Sequence, residues 1–283
     1  MTKRSIIVSR KEFLKLTLKS AVLIGLGNSL ESFSDKNILL PPQKDIKLRF
    51  ALASDGHYGQ PETEYESYHS KMVEWLNSEK EKRGLDFATI NGDLFHDKEI
   101  FLPEVKSKWD ALGMPYYVSH GNHDVTTIAN WEAVWKMPIQ QSFEHDDAAF
   151  IILNTASEIG VYTCPDPNWT RAELEKYKLK KHLFVFMHIT PIKWTEGGID
   201  CPEIVELFTK QANLRGIFHG HDHLQDSVKM HRGKHYFFDA HIGGNWGTDY
   251  HGYRIVEVLK NDKVFTYQMN AAIDYEVNRN KVT

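Results

Sequence analysis

Leu48-Arg49-Phe50-Ala51-Leu52-Ala53-Ser54-Asp55-Gly56-His57 is a short apolar run that stops at a carboxylate, a glycine and an imidazole. A run of this length, rich in apolar side chains and bounded by turn formers, reads as a buried strand with polar groups at its end. The same arrangement recurs outward along the chain. Residues 87–91 run into Gly92-Asp93, 116–119 into Gly121-Asn122-His123-Asp124, 183–187 into His188, and 217–218 into Gly220-His221-Asp222-His223. Residues 150–154 and 236–238 read as further strands. Residues 253–259 and 264–269 read as a hairpin turning at Asn261-Asp262.

Helix-period stretches separate these runs. Within residues 64–83, Tyr65, Tyr68, Met72, Trp75 and Leu76 fall on one face, which should be core. Shorter helices are expected over 104–112, 129–136, 171–178 and 202–211. Strands alternating with helices predict an α/β fold with covered sheets, and in such folds ligands gather where the strands end. One domain over residues 47–270 is the simplest division, with 271–283 as a tail.

The five polar clusters offer hard oxygen and imidazole donors, a mixture suited to borderline divalent or ferric ions. Two neighbouring ions need one anionic ligand that both can share, and Asp93 is the candidate. Glycine beside a cluster lets the backbone turn sharply and approach closely. Taken singly, Asp55 and His57 could be a polar strand end, and 121–124 an Asx-type turn.

Taken in order, the set D-x-H, G-D, G-N-H-D, H and G-H-x-H resembles the calcineurin-like metallophosphoesterase family over residues 48–223. The resemblance implies two mixed β-sheets packed as a sandwich flanked by helices. It implies one metal ion held by Asp55, His57, Asp93 and His223, and a second by Asp93, Asn122, His188 and His221. The ions would be divalent or mixed-valence manganese, iron or zinc. They would lower the pKa of a bridging water whose hydroxide attacks phosphorus in line. His123 would assist the leaving oxygen, with Asp124 orienting its imidazole or keeping it protonated.

Other histidines read differently. His182, His231, His235 and His251 are expected to be structural or surface residues, and His219 a strand residue or a donor behind the ligands. His96 is expected in a loop near the pocket. Tyr58, Trp194, His241, Asn245 and Trp246 adjoin ligand-bearing segments and are candidates for the wall of the cleft. Specificity is expected from the loops 58–64, 159–168 and 192–201.

The chain has 283 residues, 41% hydrophobic and 25% charged, with a formal net charge of −4. Residues 1–34 carry six basic side chains against Glu12 and Glu31, so the remainder is more acidic still. That balance argues against a non-specific polynucleotide partner. Basic residues followed by the apolar stretch 20–30 read as an export segment over residues 1–34, with residues 35–46 as a linker. Ser9-Arg10-Lys11-Glu12-Phe13-Leu14-Lys15 resembles a twin-arginine signal with lysine at its second basic position. The stretch is too short to span a bilayer, so no transmembrane segment is expected in the mature form, and the location would be periplasmic or extracellular in a bacterium. Cys164 and Cys201 could pair in an oxidising compartment if their Cα atoms come close enough.

The function expected is hydrolysis of small phosphate esters, with diesters ahead of monoesters. Two alternatives differ in kind: a non-catalytic metal-binding scaffold of the same fold, and a hydrolase directed at sugar or lipid esters of the cell envelope.

Overall fold

The opening stretch forms a strand flanked on both sides by others. A computed structural model describes residues 41–270 together with Val22–Ile24 and Leu30–Ser32. In chain order these hold strands β1 (Val22–Ile24), β2 (Leu30–Ser32) and β3 (Ile46–Ala53), helix α1 (Tyr65–Arg83), β4 (Phe87–Asn91), α2 (Leu102–Trp109), β5 (Tyr116–Ser119) and α3 (Ile128–Trp135). There follow β6 (Gln141–His145), β7 (Ala148–Leu153), α4 (Pro167–Lys176), β8 (His182–Met187), α5 (Pro202–Lys210) and β9 (Leu214–His219). The chain continues through β10 (Val228–His231), β11 (Lys234–Phe238), β12 (Gly252–Leu259) and β13 (Val264–Asn270).

Two mixed sheets result, in the orders β2-β1-β13-β12-β3-β4-β5 and β10-β11-β9-β8-β7-β6. Within them β3, β4 and β5 are parallel, as are β7, β8, β9 and β11. The sheets face each other across an aromatic core. Phe50 stacks on Phe87 at 5.0 Å and meets Phe150 and Phe184 edge-on at 5.3 Å. Leu52 and Val256 from the first sheet, and Phe186 and Phe218 from the second, complete this layer.

Helices cover both outer faces. Met72, Leu76, Val105, Trp109 and Trp131 of α1 to α3 pack on the first sheet, and Leu174, Ile204 and Phe208 of α4 and α5 on the second. The buried line of α1 is His69, Met72, Val73 and Leu76. Tyr65, Tyr68 and Trp75 lie at its margin, partly buried, where large amphipathic rings keep an edge in water. The architecture is the α/β sandwich expected, with its covering helices.

β6 and β10 stand at sheet edges where strands were not expected. Cys164 and Cys201 form a disulfide with Cα atoms 5.7 Å apart. No helix among the described residues is long and apolar enough to cross a membrane.

The rest of the segment 1–34, residues 35–40 of the linker and the tail 271–283 lie outside the described residues. Val22–Ile24 and Leu30–Ser32, within the stretch read as an export segment, add to the edge of the first sheet. Val22 pairs with Thr266 and Ile24 with Val264, and β2 pairs with β1. The unpaired backbone groups along β13 offer an edge to which an extended apolar segment can add.

Candidate metal centre

Each candidate ligand follows the C-terminal end of a parallel strand: Asp55 and His57 follow β3, Asp93 follows β4, Asn122 follows β5, His188 follows β8, and His221 and His223 follow β9. Parallel strands ending at one edge bring residues far apart in sequence together. Short backbone bonds lock the edge. Asp55 N–H donates to the Gly92 carbonyl at 3.0 Å, His57 N–H to the Asp93 carbonyl at 2.9 Å, and Gly243 N–H to the Asp55 carbonyl at 2.9 Å.

Asp55, His57, Asp93 and His221 all adopt positive φ, between 46° and 66°. Side chains pay for that conformation, and such strain collects at functional sites. Gly92 explains one close approach: a Cβ there would lie 2.4 Å from His188 Nδ1.

The donors form two touching groups. Ligand atoms of Asp55, His57 and His223 lie within 4.8 Å of one another, as do those of Asp93, His188 and His221. Asp93 Oδ2 joins the groups, 3.6 Å from His57 Nε2 and 3.1 Å from His188 Nε2. Asp55 Oδ1 is 3.2 Å from His223 Nε2 and 3.8 Å from His188 Nε2. His57 and His223 face each other Nε2 to Nε2 at 3.0 Å. The outer nitrogens of two of these imidazoles are anchored on the backbone: His188 Nδ1 bonds the Asn91 carbonyl at 2.8 Å and His223 Nδ1 the Trp246 carbonyl at 3.1 Å. Such bonds fix which nitrogen turns inward.

Electrostatics follow from burial. Desolvation by itself would raise the Asp55 and Asp93 carboxyls, but the neighbouring imidazoles, His223 and His188 for Asp55 and His188 and His57 for Asp93, hold both below the usual carboxylate range. Burial opposes a proton on His188, yet Asp93 and Asp55 overcome it and push the imidazole up to about 10. Burial dominates at His57, which is driven well below its ordinary value, and at His221, lowered to about 4.

His123 sits beside this centre. Its backbone N–H donates to Asp93 Oδ1 at 2.8 Å, and its ring lies edge-on to His57 at 4.9 Å and stacks on His96 at 4.7 Å. The carboxylate that meets its imidazole is Asp97, with Oδ1 2.7 Å from Nδ1. Asp124 is therefore corrected as the orienting group. Its Oδ1 accepts from Leu94 N–H at 2.8 Å and Phe95 N–H at 3.0 Å, and its Oδ2 from Gly121 N–H at 2.8 Å. Asp124 ties the Asp93 loop to the Asn122 loop from behind.

The family model for calcineurin-like phosphoesterases matches residues 48–225. The chain belongs to that family. Solved structures share the fold at low identity. A dimetal phosphatase from Danio rerio superposes with a TM-score of 0.64 at 10% identity, covering 81% of this chain and 100% of that one. GAP50, described as the anchor in the inner membrane complex of Plasmodium, gives 0.56 at 14%, covering 83% and 92%. The calcineurin-like phosphoesterase YfkN from Bacillus subtilis gives 0.52 at 11%, covering 83% and 94%. No curated protein matches the chain.

Family membership supports a metal-dependent hydrolase of phosphate esters, and the residues of this phosphoesterase suit a pair of cations. Asn122 Oδ1 is buried without a hydrogen-bond partner, and His188 Nε2 has only the Asp93 carboxylate beside it at 3.1 Å. Two buried carboxylates close together also require positive charge, which the protein alone can meet only by protonating imidazoles.

Around the phosphoesterase centre, Trp246 stacks on His223 at 4.3 Å and Tyr162 meets His221 edge-on at 5.0 Å. His96 Nδ1 faces His57 Nδ1 at 3.1 Å, so this loop residue lies directly behind a candidate ligand. His241 is buried and stacked on His223, and Asn245 accepts a bond from Gln60 Nε2 at 3.2 Å. Two expected wall residues lie elsewhere. Tyr58 is buried against Tyr65, His69 and Phe101, and Trp194 packs on Tyr236 and Phe238, because each ring completes an apolar cluster behind its loop. His219 is a buried strand residue bonded to the Met187 carbonyl at 3.2 Å. Asp97 was missed, and its signal in the sequence was slight, an acidic residue four positions beyond Asp93.

Proposed function

We propose that the chain is a dinuclear-metal phosphoesterase in which Asp55, His57, Asp93 and His223 hold one ion and Asp93, Asn122, His188 and His221 the other. The observation that carries this reading is the position of Asp93 Oδ2, in reach of His57 on one side and His188 on the other. When bound, the ions supply charge that acidifies water and stabilises the oxygens of a phosphoryl transfer. Asp93 also fixes His123 through the backbone bond. Asp97 occupies Nδ1 of that imidazole, leaving Nε2 to give a proton to the departing oxygen. We favour diesters over monoesters.

The test is hydrolysis of bis-p-nitrophenyl phosphate against p-nitrophenyl phosphate by metal-free protein reconstituted with manganese, iron, zinc or nothing. Turnover that needs metal and is faster on the diester is the expected result. Two bound ions with no turnover on either ester would move the reading to a scaffold. GAP50, an anchor on the same fold, motivates that alternative. The assembled donor set weighs against it.

We also propose export to an oxidising compartment, on the Cys164–Cys201 disulfide and the basic-then-apolar N-terminus. N-terminal sequencing of the protein from its source cells tests this, and an intact Met1 on cytoplasmic protein would overturn it.

A further inference from the structure

Large apolar side chains that a folded domain leaves in water are usually scattered. Here they are not. Of the nine exposed large hydrophobic residues among those described, six lie on segments that meet the candidate ligands His221, His223 and Asn122 or are bonded to such a segment: Ile128, Ile159, Val161, Tyr162, Leu224 and Trp246. Trp246 and Tyr162 lie against the candidate ligands His223 and His221, and Leu224 directly follows His223. The backbone at Gly160 comes so close to the Asn122 carbonyl that a Cβ would lie 2.5 Å from it, bringing the segment 159–161 against that ligand's loop. Ile128 N–H donates to Glu158 Oε1 at 2.6 Å, joining the start of α3 to the same loop.

The loop is built to hold these side chains out. Ser157 N–H bonds the Val161 carbonyl at 2.8 Å, Thr163 N–H the Thr155 carbonyl at 2.9 Å, and Ala156 bridges Tyr162. The disulfide from Cys164 then pins its end to the segment before α5. Even so, Ile159 is 76% and Val161 56% exposed, and Leu224 is 74% exposed. Exposed apolar side chains gathered beside one site mark a surface that is covered in use.

We infer that the centre acts on amphiphilic phosphate esters, with the phosphate on the metal-binding residues and an aliphatic limb of the same molecule against Ile159, Val161 and Tyr162. This rests on the phosphoesterase reading above. The apolar surface adjoins the phosphate position, so one molecule can satisfy both surfaces. The net charge of −4 offers no attraction to an anionic bilayer, which favours a single amphiphile over a membrane surface.

The test is binding of n-alkylphosphonates, from ethyl to decyl and below their critical micelle concentrations, to the manganese-reconstituted full chain by calorimetry. Complete burial of a methylene corresponds to about fourfold in Kd, so a limb lying along one wall should tighten binding about twofold per methylene. Ile159→Ser with Val161→Ser should flatten that slope. Leu179→Ser, exposed beside the opposite edge of the sheet before β8, should leave it unchanged. A Kd independent of chain length, a flattening equal in both variants, or a gain found only above the micelle concentration would overturn the inference. Inorganic phosphate binding and p-nitrophenyl phosphate turnover are measured in the same preparations. Loss of both would bring down the phosphoesterase reading, whereas their presence with a flat alkyl series brings down the amphiphile alone.

Discussion

Asp97 Oδ1 lies 2.7 Å from His123 Nδ1, an ion-pair geometry that fixes the imidazole from outside the metal centre. A carboxylate in this place orients the ring and fixes which nitrogen faces the metal centre. Asp97→Asn should therefore slow turnover by about 10-fold on an ester with a poor leaving group and hardly at all on p-nitrophenyl esters, with metal content unchanged. Steady-state rates on the two substrates check this. An equal loss on both would remove His123 from the leaving-group step.

Protons and metal ions compete for the same buried donors. In the metal-free centre His188 is held up to about 10, and His223 is also raised against the pull of burial by Asp55. His188 then carries a proton near neutrality and His223 holds one more readily than a free imidazole, and protons so held must leave when a cation takes their place. Loading the stripped protein near pH 7 should release about one proton or more per centre, and affinity should weaken as pH falls. Calorimetry in buffers of different ionisation enthalpy measures the release. A buffer-independent enthalpy would contradict it.

The sandwich and the edge where the candidate ligands gather were legible because each of those residues sits within a few positions of a hydrophobic run. Phe50, Phe184 and Phe218 announce buried strands, and the polar residues that end those strands must share an edge. β6 was not legible because Gln141–His145 is polar, only partly buried and at the margin of its sheet. Such a strand owes its conformation to β7, not to its own composition. Asp97 and Asp124 show the same limit in the site. Adjacency in sequence pointed to Asp124 as the partner of His123, yet that side chain turns back to accept from Gly121 N–H and across to Leu94 and Phe95 N–H. Asp97 reaches the imidazole across space from another loop, which no local pattern records.

Phe50 is the strongest test of the aromatic layer. Its ring is fully buried and touches Phe87, Phe150, Phe184, Phe186 and Phe218. Phe50→Ala removes those contacts from both sheets and should cost about 3–5 kcal/mol. Urea unfolding should show a lower midpoint. A loss below about 1 kcal/mol would mean that the sheets repack around the gap.

His69 gives a pH dependence whose sign can be worked out. It is wholly buried in α1, its Nδ1–H donates to the Tyr65 carbonyl at 2.7 Å, and burial lowers its pKa from 6.5 to about 4. The folded state therefore resists a proton that the unfolded chain accepts. Stability from this group is fully present above pH 6.5 and is lost as pH falls through about 4, by about 3 kcal/mol at most. His69→Gln cannot take up that proton. Between pH 7 and 4.5 the metal-stripped variant should lose stability less steeply than the parent in urea titrations, whatever its starting level. Parallel slopes would mean that His69 titrates without coupling to folding.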